Sequence, residues 1–331
     1  MTYSVTGLIQ ASDYNGFTTN SGGLNDIWST GSGDKGWGQT AFTSVAAGGT
    51  VTATQWATLV NNLATAGSQT NTTLTSRTAP SAGQTITILA NVATDITSVT
   101  TNRGNAAVAG AFQAAWTGSV SKTTATGSGQ STWTITFTHT VTFPSADQAR
   151  YFWNAGGLVF WTTNKSSTGT DIDPDWNTFA GQVGTIYLSG RVNGAAQTIA
   201  GTSYTGTTRL NGTGGTQTTL ATTTGWYSLT AGGAATTLFQ LNNATSPYTG
   251  AYIKTTAAVN AGSTVLTLVT TWVQPAVSGA GTTCNITGGT STGSPLNLFG
   301  SAPATVCGFN LPSTTYLTAS WGTPTVAASV A

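Results

Sequence analysis

Residues 133–143 alternate with a period of two. Trp133, Ile135, Phe137, Val141 and Phe143 are apolar, His139 takes the remaining odd place, and positions 134, 136, 138, 140 and 142 are all threonine. Such a pattern predicts a strand with one buried face and one polar, β-branched face. Pro144 has no backbone N–H to continue the ladder and ends it. Ser145 then reads as a helix N-cap, and Asp147 falls in the first turn, where the helix dipole favours an anion. Ala149, Phe152 and Trp153 lie at helical spacing before Asn154-Ala155-Gly156-Gly157 stops the helix. Leu158 and Phe160 open a second strand. With eight aromatics in 29 residues, 133–161 is expected to be a core rather than a reactive site.

Upstream, residues 1–110 read as a helical unit. Thr52 or Thr54 can cap a helix whose Trp56, Leu59, Val60 and Leu63 lie at i, i+3, i+4 and i+7, with Gly67 as its stop. Residues 21–40 read as a loop rich in Gly, Ser and Asp around Trp28 and Trp37, and 65–82 as a linker. In 84–103, Ile86, Leu89, Ala93, Ile96 and Val99 keep helical spacing while the threonines among them favour strand; a helix is the expectation.

From about residue 111 the pattern turns to β. Strands are expected at 114–120, 133–143, 158–162, 184–192, 227–230, 235–241, 251–256, 264–273 and 316–321, separated by turns carrying Gly, Asn, Pro and Ser. No long helices intervene, so a parallel α/β sheet is disfavoured, and no fixed repeat marks a β-helix or fibre shaft. The expected fold is α+β: a helical unit (1–110), an antiparallel β-sandwich-like body (111–274), and a loop-rich C-terminal extension with a terminal strand (275–331).

Composition bears on partners. Only 5% of the 331 residues are charged, against about 25% in ordinary soluble proteins. The eight acids are all aspartate, and the formal net charge is +1. The nine basic residues are scattered, which argues against nucleic acid, a partner that needs clustered Lys and Arg. Low charge removes the self-repulsion that keeps copies apart, so a homo-oligomer is expected, a trimer favoured. No run approaches the roughly 18 apolar residues of a membrane span. The opening MTYSVTGLIQ has neither a basic region nor a long apolar core, so no signal peptide and synthesis in the cytoplasm are expected.

Reactive chemistry is poorly supported. His139 is the single histidine and sits on the apolar face of the Thr-rich strand, a core position; no G-x-S-x-G presents a serine. Asp171, Asp173 and Asp175 in GTDIDPDWN alternate as calcium ligands do. Yet Trp176 stands where an EF-hand needs Gly and Gln182 where it needs Glu, so a solvated turn is the preferred reading. A glycosidase needs two facing carboxylates, and nothing marks such a pair. No enzyme activity, metal or cofactor is expected. Cys284 and Cys307 are the only cysteines; a disulfide between them would contribute ~3 kcal/mol, and two reduced thiols are the other reading. Trp28 and Trp37 either stack on sugars or a neighbouring subunit, or are buried in the helical unit; burial is preferred.

The segment SADQARYFWNAGG resembles virion structural proteins of tailed bacteriophages, especially those of contractile-tailed cyanophages. ASDYN at 11–15, GSGDKGWGQ at 31–39 and VTATQWATLVNNL at 51–63 agree with it, in patches over about the first half of the chain and more loosely from Trp226 to Trp272. Those proteins carry more charge and more histidine than this chain. The resemblance implies a virion component in a tail, neck, fibre or capsid decoration, assembling with itself and with other virion proteins. A receptor- or host-glycan-binding module of a tail fibre is the alternative. A cell-surface adhesin and a glycan-degrading enzyme rank below these.

Overall fold

The computed structural model describes residues 10–82, 91–105, 115–121, 133–166, 173–190, 197–199, 202–204, 208–218, 220, 229–244, 249–275 and 303–331. Its helices are α1 (Ala11–Thr18), α2 (Asn25–Trp28), α3 (Ala53–Gln69), α4 (Val92–Thr101), α5 (Ala146–Asn154) and α6 (Asp173–Gly181). The strands run β1 (Ala115–Ser121), β2 (Trp133–Thr142), β3 (Leu158–Asn164), β4 (Thr185–Ser189), β5 (Gln197–Ile199), β6 (Thr202–Tyr204), β7 (Thr208–Leu210) and β8 (Thr216–Gln217). They continue with β9 (Thr236–Asn242), β10 (Tyr252–Val259), β11 (Val265–Gln274), β12 (Ala304–Asn310) and β13 (Thr325–Val330).

Two antiparallel sheets form the body of this α+β fold. One has the order β1-β12-β3-β4-β7, the other β13-β2-β11-β10-β9-β8, and β5-β6 is a separate ribbon. The alternation read in 133–143 sets the inward face of the six-stranded sheet. Ile135, Phe137, His139 and Val141 are buried, opposite Trp272, Thr270, Leu268 and Leu266 of β11. Since the side-chain period is two, that register fixes both faces at once.

The turn from one sheet to the other is α5. Gln148 N–H donates to Ser145 Oγ at 3.1 Å, so the serine caps the helix as its position suggested. At the other end Gly157 N–H reaches Phe152 O at 2.7 Å and Gly156 N–H reaches Trp153 O at 3.2 Å, with Gly156 at φ +99°. This is a Schellman stop, which requires the left-handed residue that glycine supplies without a Cβ clash. Phe143, Phe152 and Trp153 pack edge-on or tilted at 5.0–5.9 Å between centroids, joining strand end and helix in one apolar cluster.

The N-terminal helices fasten onto α5. Trp37 Nε1 donates to Asn154 O at 3.1 Å, and Gln69 Nε2, at the end of α3, donates to Ala155 O at 3.2 Å. One hydrophobic core runs from Tyr14 through Trp56, Phe137, Trp153 and Trp272 to Trp321, through all three segments distinguished in the sequence.

Several local expectations are corrected. Gly67 does not stop α3: the helix runs to Gln69, and Asn71, at φ +49°, takes the left-handed place in a second Schellman turn. Thr72 N–H bonds Gly67 O at 2.8 Å and Asn71 N–H bonds Ser68 O at 3.3 Å. Residues 65–69 are therefore helix, not linker. A Cβ at Gly67 would lie 2.6 Å from Leu74 Cδ1, so a larger residue there requires the Leu74 side chain to shift. The helix expected over 84–103 is α4, beginning at Val92; 84–90 lie outside the described residues. One helical turn, α2, interrupts the loop expected over 21–40.

At 316–321 there is no strand. Leu317 and Trp321 are buried while Ala319 between them is exposed, which breaks the two-residue alternation of a strand, and both sides of the Thr318 backbone are held by Gln39. The C-terminal strands are β12, seated between β1 and β3, and β13, paired with β2. Leu229 and Thr230 are not in a strand, and 227–228 lie outside the described residues.

Candidate functional site

Among the described residues, those singled out for chemistry are not brought together. His139 is 1% exposed on β2, between Leu268 of β11 and Ala328 of β13 in register. Asp171 lies outside the described residues, while Asp173 and Asp175 fall in α6, so the stretch read as a solvated turn is helical from Asp173. Trp176 on that helix is buried and stacks on Trp272, with centroids 5.5 Å apart and planes 16° from parallel. Among the described residues, no group of three His, Cys, Asp or Glu is placed to hold a metal. Cys307 is a free thiol, fully buried on β12, and burial pushes its pKa up to about 12; Cys284 lies outside the described residues. Trp28 and Trp37 are buried and pack edge-on at 6.3 Å, with Trp28 Nε1 donating to Thr40 O at 3.1 Å.

The aspartates described with their side chains are engaged within the molecule. Of the aspartates described with their side chains, Asp26 pairs with Lys35 at 2.7 Å, Asp95 with Arg77 at 2.5 Å, Asp147 with Arg150 at 2.8 Å, and Asp34 with Arg103. The remaining one, Asp13, accepts from Gln10 N–H at 2.8 Å and closes the first turn of α1.

The outward face of the six-stranded sheet is correspondingly bare of charge. Thr134, Thr136, Thr138 and Thr140 of β2 stand half-buried beside Val265, Thr267, Val269, Thr271 and Val273 of β11. On one flank β13 adds Thr325, Ala327 and Ser329, all exposed. On the other, β10 adds Tyr252, Lys254, Thr256 and Ala258. Lys254 is the one charged side chain among these sixteen positions. The surface is a sheet of hydroxyls and methyls.

A second feature lies at the far end of α3, where the chain reverses through Asn71 and runs back along the helix. A surface cleft of about 600 Å³ opens there, lined by Ser68, Asn71, Thr73, Ser76 and the ring of Tyr316 among others. Asp95 fixes one wall: it accepts from Thr75 N–H at 3.1 Å and from Thr75 Oγ1 at 3.4 Å while neutralising Arg77. Tyr316 is 42% exposed, and the loop bearing it is pinned at both sides. Leu317 is buried beneath it, and Gln39 gives and takes a hydrogen bond with the Thr318 backbone, both at 2.9 Å. Ser320 Oγ donates to Trp37 O at 2.5 Å. The sequence gives no local signal for this cleft, because Tyr316 and Ser68 are brought together only by the fold.

No family model matches the chain, and neither a curated protein nor a solved structure matches it.

Proposed function

We propose that the chain is a structural component of a tailed-bacteriophage virion, made in the host cytoplasm and built into the particle. It assembles there with copies of itself and with neighbouring virion proteins through uncharged β-rich surfaces, as a homo-oligomer, a trimer where it lies on a fibre. The resemblance in SADQARYFWNAGG motivates the virion setting. The observation that carries the assembly reading is the outward face of the six-stranded sheet, with its threonine and valine rows and single lysine. Such a face presents methyls for apolar burial and hydroxyls for short-range hydrogen bonds, and it has little charge to repel an identical face.

Sedimentation of the purified chain tests this. Wild-type protein is expected as an oligomer at micromolar concentration. Thr138→Lys, at the centre of the face, is expected to give a folded monomer, because an ammonium facing a chargeless partner must be desolvated without a counter-ion. A clean monomer for wild type, or an oligomer indifferent to Thr138→Lys, overturns the assignment of this face.

A further inference from the structure

We infer that the cleft between the end of α3 and Tyr316 is a binding site for a neutral carbohydrate. This goes beyond the assembly reading and does not depend on it. Four observations converge.

The first is the lining. Ser68, Asn71, Thr73 and Ser76 offer hydroxyls and an amide, groups that donate and accept in the same small space. A sugar hydroxyl needs that combination, being donor and acceptor at once. The second is charge. Among the described residues, the one ionised side chain lining the cleft is Arg77, which is 6% exposed and tied to Asp95 at 2.5 Å. An anionic ligand therefore finds no free cation, and a cationic one no free carboxylate.

The third is Tyr316. Among the described residues it is the one large apolar side chain left exposed, while every tryptophan described with its side chain is buried. A flat ring beside polar donors is what the C–H face of a pyranose stacks on, while the ring's hydroxyl stays wet. The fourth is rigidity. Leu317, Gln39 and Ser320 hold the Tyr316 loop, and Asp95 with the Schellman turn at Asn71 holds the opposite wall, so little ordering is left to oppose binding. At about 600 Å³ the cleft falls within the range of small-ligand sites and takes a short oligosaccharide.

The test is a glycan array carrying neutral and sialylated oligosaccharides, followed by titration of the best neutral trisaccharide against the full chain. Binding of at least one neutral glycan is expected, unchanged by NaCl. Tyr316→Ala is expected to weaken it about tenfold, a loss of ~1.4 kcal/mol, and Tyr316→Trp to retain it. Ser76→Ala, a second exposed lining position, is expected to weaken it by a smaller factor. Both sites are exposed, and an unchanged circular dichroism spectrum establishes that the variants fold. Three outcomes overturn the inference: no glycan bound, preference for sialylated glycans with loss in salt, or neutral-glycan binding that survives both Tyr316→Ala and Ser76→Ala. None of them touches the oligomeric state, so failure here is distinguishable from failure of the assembly reading.

Discussion

Trp272 and Thr163 hydrogen-bond across the sandwich: the indole Nε1 of Trp272, on β11 of one sheet, donates to Thr163 Oγ1, on β3 of the other, at 3.1 Å. A second bridge runs the opposite way, from Trp161 Nε1 on β3 to Thr255 Oγ1 on β10 at 3.4 Å. Thr163 Oγ1 also lies 3.1 Å from Thr305 Oγ1, and Thr255 Oγ1 lies 3.0 Å from Thr270 Oγ1. All of these side chains are buried. Threonine therefore has two duties here, covering the outside of one sheet and tying the two inner faces together.

The first prediction tests the bridge. Thr163→Val keeps the shape but leaves the Trp272 N–H buried without its acceptor, so it is expected to cost about 1–3 kcal/mol in denaturant unfolding. Trp272→Phe removes the donor along with part of the ring. The double variant is then expected to lose less than the sum of the two single losses, because each single variant breaks the same bond. Strict additivity would show that the bond contributes nothing.

Phe137→Ala probes the face itself. Phe137 is fully buried, with its ring edge-on to Trp272 at 6.4 Å. Truncation leaves a cavity in a close-packed core and is expected to cost ~3–5 kcal/mol. A change under about 1 kcal/mol would mean the core collapses around the gap as few cores do.

What the sequence made legible divides along physical lines. The β2–α5–β3 unit was readable because strict alternation, a serine cap and a glycine stop all act within a few residues of one another. The strand expected at 316–321 was not, because Tyr316, Leu317 and Trp321 are β-favouring residues whose backbone is instead held by Gln39, a distant partner. In β13, TVAASV, small residues carry almost no pattern, and only pairing with β2 makes the segment a strand. Asp173-Pro174-Asp175 reads in sequence as part of a solvated turn, although Pro and Asp in a first turn equally well start a helix. The binding cleft had no local signature, since its two walls meet only after folding.

Asp95→Ala is expected to be costly well beyond its size. It would leave the Arg77 guanidinium, 6% exposed, without its counter-ion and would release the Thr75 backbone. Stranding a buried charge costs about 3–5 kcal/mol, measured by urea unfolding. Glycan binding is expected to weaken as well, because Thr73 and Ser76 lie on the wall that Asp95 holds.

Cys307 provides a pH prediction. Burial raises its thiol pKa from 9.0 to about 12. Above the unfolded value the unfolded chain releases a proton that the folded chain keeps, so stability is intact below that value and is lost as pH climbs toward the folded one. Cys307 contributes a slope of up to about 1.4 kcal/mol per pH unit within that window, and Cys307→Ala is expected to remove that share while leaving the one from Tyr14 and Tyr187, whose pKa values burial also raises. At neutral pH the thiol is expected to resist iodoacetamide until the chain is unfolded, as read by mass spectrometry of the peptide bearing Cys307.

The last prediction concerns salt. With 17 charged side chains in 331 residues, and each aspartate of known side-chain position already engaged within the molecule, few ion pairs are left to cross an interface. Association through the face around Thr138 and Val269 must rest on apolar burial and uncharged hydrogen bonds. Raising NaCl from about 0.1 M to about 1 M shortens the screening length from ~10 Å to ~3 Å and so acts chiefly on exposed charges. The oligomer is therefore expected to sediment unchanged across that range, whereas nucleic-acid binding would fall steeply. A calcium bridge through Asp171, Asp173 and Asp175 would instead yield to a chelator and ignore NaCl. Dissociation in salt alone would mean that charge holds the copies together, and the uncharged face would lose its role.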